Sequence, residues 1–289
     1  MNALDPNGQR LALVLEYDGC GFSGWQQQPG RRTVQGALET ALSSVANHPL
    51  EVVCAGRTDA GVHALAQVVH FDSAARRAPY NWVMGGNAAL PRDLRILSCR
   101  EVPPRFHARA SAIARHYRYT VLNRRIPSAL DHGRVTWVPY PLDAQRMHEA
   151  AQPLVGHHDF SAFRAQGCQS KSPRRWLYQI EVQRDGDRVH VDVCANAFLH
   201  HMVRNLVGSL LEIGLNRQAV DWMAALLRGR DRRLAGVTAP PDGLYFAGIL
   251  YPNALDLPRS PFLDRLPVTL GRFEPSQHPA DVSLDENSR

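Results

Sequence analysis

One grammar of short β-forming runs and amphipathic helices is written twice along these 289 residues, and that repetition constrains the fold more than any other feature. Residues 11–17 (LALVLEY) form an apolar run of strand length. A Gly-rich loop follows, and Thr33 stands as an N-cap before Val34, Leu38, Leu42 and Val45 at helical spacing. Residues 51–55 and 67–72 read as strands on either side of the loop 56–66, and 94–102 as another. After residue 105 the pattern returns with a strand at about 114–122, a polar helix at about 143–152, and an alternating hairpin, 177–184 and 188–195, turned at Asp185-Gly186. Met202, Leu206, Leu210 and Ile213 mark a helix ending near Gly214, a second helix covers about 218–228, and 245–251 is a last strand. Helices interspersed among antiparallel hairpins predict an α+β chain of two halves, 1–105 and 106–251. Beyond them Pro252, Pro258, Pro261, Pro267, Pro275 and Pro279 break any long element, and the final HPADVSLDENSR is polar and acidic. The segment 252–289 is therefore expected to be extended or partly disordered.

Other classes fall away on composition. Hydrophobic residues at 44% and charged residues at 21% are those of a globular chain, so disorder throughout is excluded. No apolar run approaches the roughly 18 residues of a membrane span, and MNALDPNGQR lacks the basic start and greasy stretch of a signal peptide. Five thiols, Cys20, Cys54, Cys99, Cys168 and Cys194, are odd in number and include no C-x-x-C pair, which indicates neither a disulfide framework nor a thiolate zinc site. These features predict a cytoplasmic protein with reduced thiols and no membrane.

Charge points to a polyanion. Lys+Arg of 33 against Asp+Glu of 27 gives +6, and Lys171 is the single lysine, so almost every cation is a guanidinium. A guanidinium fork grips phosphate at two points and stacks on bases, although a coding bias towards Arg would produce the same excess. Placement carries more weight than number. From Arg105 to Arg125 the chain holds Arg105, Arg109, Arg115, Arg118, Arg124 and Arg125 with no acid, interleaved with Phe106, His107, His116, Tyr117 and Tyr119. A second acid-free stretch carries Arg164, Lys171, Arg174, Arg175 and Trp176. A solvated face would mix signs, whereas basic groups with aromatic faces between them suit nucleic acid.

Three motifs compete for the chemistry. Gly19-Cys20-Gly21-Phe22-Ser23-Gly24 fits G-x-G-x-x-G after a strand, but a dinucleotide loop opens a helix at its glycines and here Trp25-Gln26-Gln27-Gln28-Pro29-Gly30 follows, so a tight polar loop is the better reading. The pairs His157-His158 and His200-His201 point in different directions as sequence neighbours and lack an H-x-x-x-H partner, so no metal site is predicted; His107, His116 and His201 fit as donors near RNA or as packed polar residues. The third is Gly56-Arg57-Thr58-Asp59-Ala60-Gly61-Val62-His63-Ala64, a loop between two strands. Arg57 and Asp59 lie two apart and project to one side of an extended segment, and a carboxylate beside a cation in a pocket is a nucleophile or base. A loop salt bridge or an Asx turn also satisfies these residues.

GRTDAGVHA resembles the signature of the tRNA pseudouridine synthase A family, and further family-like stretches follow in order. They are Tyr17-Asp18-Gly19 with Gly24-Trp25-Gln26, Gln67-Val68-Val69-His70-Phe71, Asn87 to Pro91, Phe106-His107-Ala108-Arg109 and Arg115-His116-Tyr117-Arg118-Tyr119. After these come His158-Asp159-Phe160-Ser161-Ala162-Phe163, Phe198-Leu199-His200-His201-Met202-Val203-Arg204-Asn205, and Ala239-Pro240-Pro241 through Gly243-Leu244. The likeness spans 17 to about 250; Ala66 stands where the family more often has Gly, and the tail carries no family motif.

The resemblance implies an isomerase, working without cofactor or metal, that converts uridine to pseudouridine at positions 38, 39 and 40 in the anticodon stem-loop of tRNA. Asp59 would be the nucleophile, at C1′ of the ribose or at C6 of the flipped-out base. Arg57 would position Asp59 or occupy the space left by the base, and Arg204 would pair with Asp59. Tyr117 would stack on uracil and take the C5 proton, for which an ordinary phenol needs a shifted pKa or a relay. Leu244 would form an apolar wall, while Arg109, Arg118, Lys171, Arg174 and Arg175 grip the backbone and His201 donates to RNA. The implied fold has two pseudo-symmetric, ferredoxin-like halves, a central antiparallel sheet with helices packed on it and a basic cleft between, and the implied assembly is a homodimer. A non-catalytic RNA-binding module and a carboxylate-dependent nucleoside hydrolase are the alternatives.

Overall fold

A computed structural model of the chain describes residues 8–252 together with Leu257 and Leu263. The first half runs β1 (Gln9–Tyr17), α1 (Val34–Ala46), β2 (Val53–Cys54), β3 (His63–Ser73), α2 (Pro79–Ala89) and β4 (Leu94–Glu101). The second runs β5 (Ala114–Asn123), β6 (Thr136–Val138), α3 (Ala144–Ala151), β7 (Gly156–Asp159), β8 (Arg174–Asp185), β9 (Arg188–Ala195), α4 (Met202–Gly214), α5 (Trp222–Gly229) and β10 (Leu244–Leu250). The strands join in one sheet, β4-β1-β3-β10-β5-β9-β8-β7, with β2 beside β3 and β6 beside β5.

The topology shows what the repeated grammar encodes. Each half is built on a strand, a helix, two strands, a helix and a strand, to which the second adds β6, β7 and α5, and each places the shared strands in the same spatial order: β4-β1-β3-β2 in the first and β10-β5-β9-β8 in the second. Pairing within each set is antiparallel. The halves meet where β10 runs parallel to β3 through Tyr245↔His63 and Phe246↔Ala64. On that same edge of β3, β2 pairs only through Val53↔His70 and Cys54↔Val69. Because β2 is two residues long, the start of β3 is left for β10, and the loop from β2 to β3 lies at the junction.

Local sequence explains most elements. Thr33 caps α1 by accepting the Gly36 amide at 3.3 Å, and Val34, Leu38, Ala41 and Leu42 form its buried stripe. Leu11 and Leu13 of β1 stand opposite Phe71 and Val69 of β3, and Tyr119 and Val121 of β5 opposite Val191 and Val189 of β9, all buried. The expected strand at 51–55 contracts to Val53–Cys54, while that at 67–72 extends back to His63. Helix α2 was not legible in the sequence. It holds two glycines and buries only Trp82 and Gly86, and it is fixed by tertiary contacts: Trp82 meets Phe71 at 5.0 Å and Asn87 brackets Ile96 with bonds of 2.8 and 2.9 Å. Removing a buried Trp of this kind costs roughly 3 to 5 kcal/mol, so packing outweighs the poor local propensity. Most of the segment 252–289 lies outside the described residues. Leu263, however, is buried in a small cluster with Ile113, Ala114, Cys194 and Leu250.

Candidate active site

Two backbone loops support the GRTDAGVHA segment. The Tyr17 hydroxyl meets Thr58 Oγ1 at 2.8 Å, Gln67 Nε2 donates to the Gly56 carbonyl at 2.6 Å, and the Trp25 amide donates to the Thr58 carbonyl at 2.9 Å. Thr58 is buried while Arg57 and Asp59 face a cleft of about 1000 Å³. The glycine motif that mimics a dinucleotide loop works here by close approach. A Cβ on Gly19 would lie 2.1 Å from the Val62 carbonyl oxygen, and one on Gly24, where φ is +86°, 2.8 Å from that of Thr58. No helix starts at these glycines beyond a single 3₁₀ turn, Gly19–Gly21. His63 closes the far end of the loop: its Nδ1 accepts from the Gly19 amide at 3.0 Å and Nε2 lies 3.0 Å from the Gly133 carbonyl. This stitches the loop to the second half.

The second half brings cations to Asp59. Arg204 lies in the first turn of α4, where a cation opposes the helix dipole, and a carboxylate placed there offsets it. Its Nε donates to the Ala239 carbonyl at 2.8 Å, and its Nη1 donates to Asp59 Oδ2 at 3.4 Å across 145 residues of sequence. The Ala239 segment is held in turn: Arg232 donates to Asn205 Oδ1 and to Thr238 Oγ1, each at 3.0 Å. His201, the residue before α4, takes a left-handed conformation with φ of 59° and places Nε2 3.2 Å from Asp59 Oδ2. His200 Nε2 stands 3.5 Å from Asp59 Oδ1, and the two imidazoles are 3.9 Å apart. Burial pushes His201 below the usual histidine range, Asp59 pulls it back, and His200, Arg204 and Arg232 push it down again. Asp59, His200 and His201 thus offer ligand-type atoms within 4.8 Å of one another, a convergence that adjacency in sequence did not reveal.

The remaining predicted residues divide by position. Tyr117 on β5 lines the cleft with its ring edge-on to Phe198 at 4.9 Å and Phe246 at 5.0 Å. Burial pushes its hydroxyl pKa well up, with Tyr17 and Asp59 adding to the shift, which is opposite to what a free phenolate base needs. Leu244 and Arg109 also line the cleft. Arg57 is exposed there and forms no ion pair with Asp59, whose guanidinium partner is Arg204. Arg118 does not join them. One residue on from Tyr117, it leaves the other side of the sheet, where Asp192 accepts its Nε at 2.9 Å and its Nη2 at 3.0 Å and also meets His116 Nε2 at 2.7 Å. Arg175 is spent on the Ser172 and Arg174 carbonyls and on Ser170 Oγ, whereas Lys171 and Arg174 are exposed but do not line the cleft, whose wall on this side is Gly167, Cys168 and Gln169. Arg115, not singled out as a site residue, donates to the carbonyls of Asn196 and Arg109 at 2.6 and 2.5 Å and so ties the cleft walls together.

This geometry is a carboxylate at the junction of two halves, ringed by one guanidinium and two imidazoles and faced by an aromatic and an aliphatic wall. Comparison with known proteins places it. The profile of the family described as tRNA pseudouridine synthase matches residues 13–109 and 150–252. Asp59 lies in the first matched segment, His200, His201, Arg204 and Leu244 in the second, and Tyr117 between them. The chain is 54% identical over 266 residues to the tRNA pseudouridine synthase A of Methylococcus capsulatus, covering 92% of this chain and 98% of that one. It is 57% identical to that of Nitrosococcus oceani, covering 86% and 96%, and 56% identical to that of Xanthomonas euvesicatoria, covering 86% and 98%. The carboxylate-bearing cleft and the matched segments together assign the chain to the tRNA pseudouridine synthase family.

Proposed function

We propose that Asp59 is the nucleophile with which this chain, by family an isomerase of uridine to pseudouridine in tRNA, acts on positions 38, 39 and 40 of the anticodon stem-loop. The observation that carries the reading is the Asp59 carboxylate facing the cleft with Arg204 at 3.4 Å from the opposite half. The reaction breaks the C1′–N1 bond, turns the uracil, and joins C1′ to C5, whose hydrogen leaves as a proton. Reactant and product have the same atoms, so no oxidant or reductant enters.

The base must first leave its stack, at a cost of a few kcal/mol. Tyr117 and Leu244 supply faces for the flipped ring, and Arg57, free of Asp59, is available to fill the space it vacates. Asp59 then attacks C1′, in the manner of a glycosidase carboxylate, or C6. Arg109, Lys171 and Arg174 grip phosphates around the cleft. In this reading the halves 1–105 and 106–251 form its two walls, and the working unit is a homodimer in the cytoplasm.

Tritium at uridine C5 of an unmodified tRNA tests the reading. Wild-type protein releases it to water and Asp59→Asn does not. No release from several tRNAs, despite salt-sensitive binding, would favour a binding module, and free uracil in the supernatant a hydrolase.

A further inference from the structure

Every pseudouridine formed requires a proton to leave C5, and the cleft holds few groups that can take it. Tyr117 is packed between Phe198 and Phe246, and its hydroxyl is pushed towards the protonated form. A phenol so placed is a poor acceptor. Asp59 is committed, on the reading above, to the carbon skeleton. Arg57, Arg109 and Arg204 are guanidinium ions and cannot accept a proton. Of the groups that remain, Cys168 Sγ accepts the His200 amide at 3.4 Å, and the imidazoles of His200 and His201 are those that stand against Asp59.

Of the two, His201 is built into the site. Its Nε2 lies 3.2 Å from Asp59 Oδ2, so a substrate atom held at that oxygen on the imidazole side is within reach of the ring. Its backbone holds the left-handed region at φ 59°, which disfavours a residue with a Cβ and is tolerated where the surroundings over-determine it. Such strain concentrates at functional sites. The backbone is fixed here because the Met202 amide bonds the Leu199 carbonyl and the Asn205 amide bonds that of His201. His200 is more exposed, at 47% against 28%, and flanks the ring of its neighbour.

We infer that His201 is the general base that removes the C5 proton in the last chemical step of the isomerisation. The inference rests on Asp59 being the nucleophile. Once C1′ has joined C5, that carbon carries both hydrogen and ribose. The C5–H bond breaks and its electron pair forms the C5–C6 double bond, while C6 gives up its second bond to N1, or its bond to Asp59 by the C6 route; N1 takes a proton from water, and the C5 proton passes to the unprotonated ring nitrogen of His201. The imidazolium formed faces the Asp59 carboxylate and later yields its proton to water. Burial together with His200, Arg204 and Arg232 favours the neutral imidazole, the form that can accept a proton, and Asp59 is the opposing charge.

His201→Asn tests this, because Asn tolerates the left-handed backbone and carries no basic nitrogen. Single-turnover conversion is measured with tRNA bearing hydrogen or deuterium at uridine C5, beside tRNA binding. A parallel substrate carries 5-fluorouridine, whose fluorine cannot leave as a cation, so that glycosidic-bond cleavage and rejoining proceed but the final step is blocked. The expected result is a rate lower by about 10²-fold, a primary deuterium effect absent from the wild type, tRNA binding lowered far less than the rate, and turnover of the 5-fluorouridine to a rearranged base at the wild-type rate. Added imidazole restores part of the lost rate. Equal loss of the 5-fluorouridine reaction would mean that His201 serves Asp59, and a near-wild-type rate that it serves neither; both overturn the inference and leave Asp59 standing. Activity retained by Asp59→Asn overturns the underlying reading instead.

Discussion

Replacing Gly19 by Ala adds one methyl group where two loops touch backbone to backbone. The new Cβ would lie 2.1 Å from the Val62 carbonyl oxygen and 2.9 Å from the Gly61 carbonyl carbon, and neither atom is the flexible end of a side chain. Gly19 has no positive φ, so the conformation itself accepts Ala and the effect isolates the contact. Relief requires the Asp59 loop to move by roughly 1 Å, an overpacking that costs about 1 to 3 kcal/mol. A misplacement of that size at the reacting group lowers the rate by about 10²-fold. Binding of tRNA, carried by arginines elsewhere around the cleft, changes little. Single-turnover tritium release, thermal unfolding and filter binding measure the three quantities. Gly229→Ala is the control, since a Cβ there meets nothing within 4 Å and Tm is expected to hold or rise. A Gly19→Ala protein with wild-type rate and Tm would refute the contact and the role of the glycine motif in supporting the loop.

Two further outcomes follow from the same geometry. Arg109→Leu should lower the slope of log binding constant against log salt by about 1, whereas Arg118→Leu should leave that slope unchanged and lower Tm by the equivalent of roughly 1 kcal/mol after solvent screening, because it strips Asp192 of its bidentate partner; equal slopes for both variants would undo the sorting. Acid should weaken the fold through buried and half-buried histidines: His70, with Nδ1 accepting from the Ala108 amide, is pushed by burial to about 4, and desolvation also lowers His63, His107 and His190. A histidine whose folded pKa is depressed takes up its proton on unfolding, so for His70 stability is full above about 6.5 and falls as pH drops towards 4. Tm measured across that range should fall less steeply in His70→Gln than in the wild type, and identical curves would refute the assignment.

Much of the fold was legible because its signals are local. The cap at Thr33, the helical spacing of α1 and α4, and the Asp185-Gly186 turn each act over a few residues, and the structure places α1, α4 and the β8–β9 hairpin there. Helix α2 was illegible because Trp82 and Asn87 are held by Phe71 and Ile96, from strands on either side of it in sequence. Strand β2 was overestimated because the Val52 amide donates to Glu39 Oε1 at 3.0 Å, a partner on α1, instead of continuing the ladder with β3. Among the basic residues, composition could not separate Arg109 in the cleft from Arg118 on the reverse of the sheet. That distinction depends on the fold: Arg109 sits in the segment before β5 and lines the cleft, whereas Arg118 leaves the face of β5 opposite Tyr117 and meets Asp192 in β9.

The sequence alone determined the types of element, the repeated α+β organisation, the polyanion-seeking charge and the family likeness of the loop bearing Asp59, since each is carried by residue identity and short-range spacing. Only the tertiary structure decided what surrounds that carboxylate. Arg204, His200 and His201 reach it because β10 docks on the start of β3, beyond the stretch that β2 covers, which closes two similar halves into one sheet and brings the start of α4 against the loop. Local propensity acts over a few residues, whereas a contact between residues 59 and 204 exists only after the long-range strand pairing has formed.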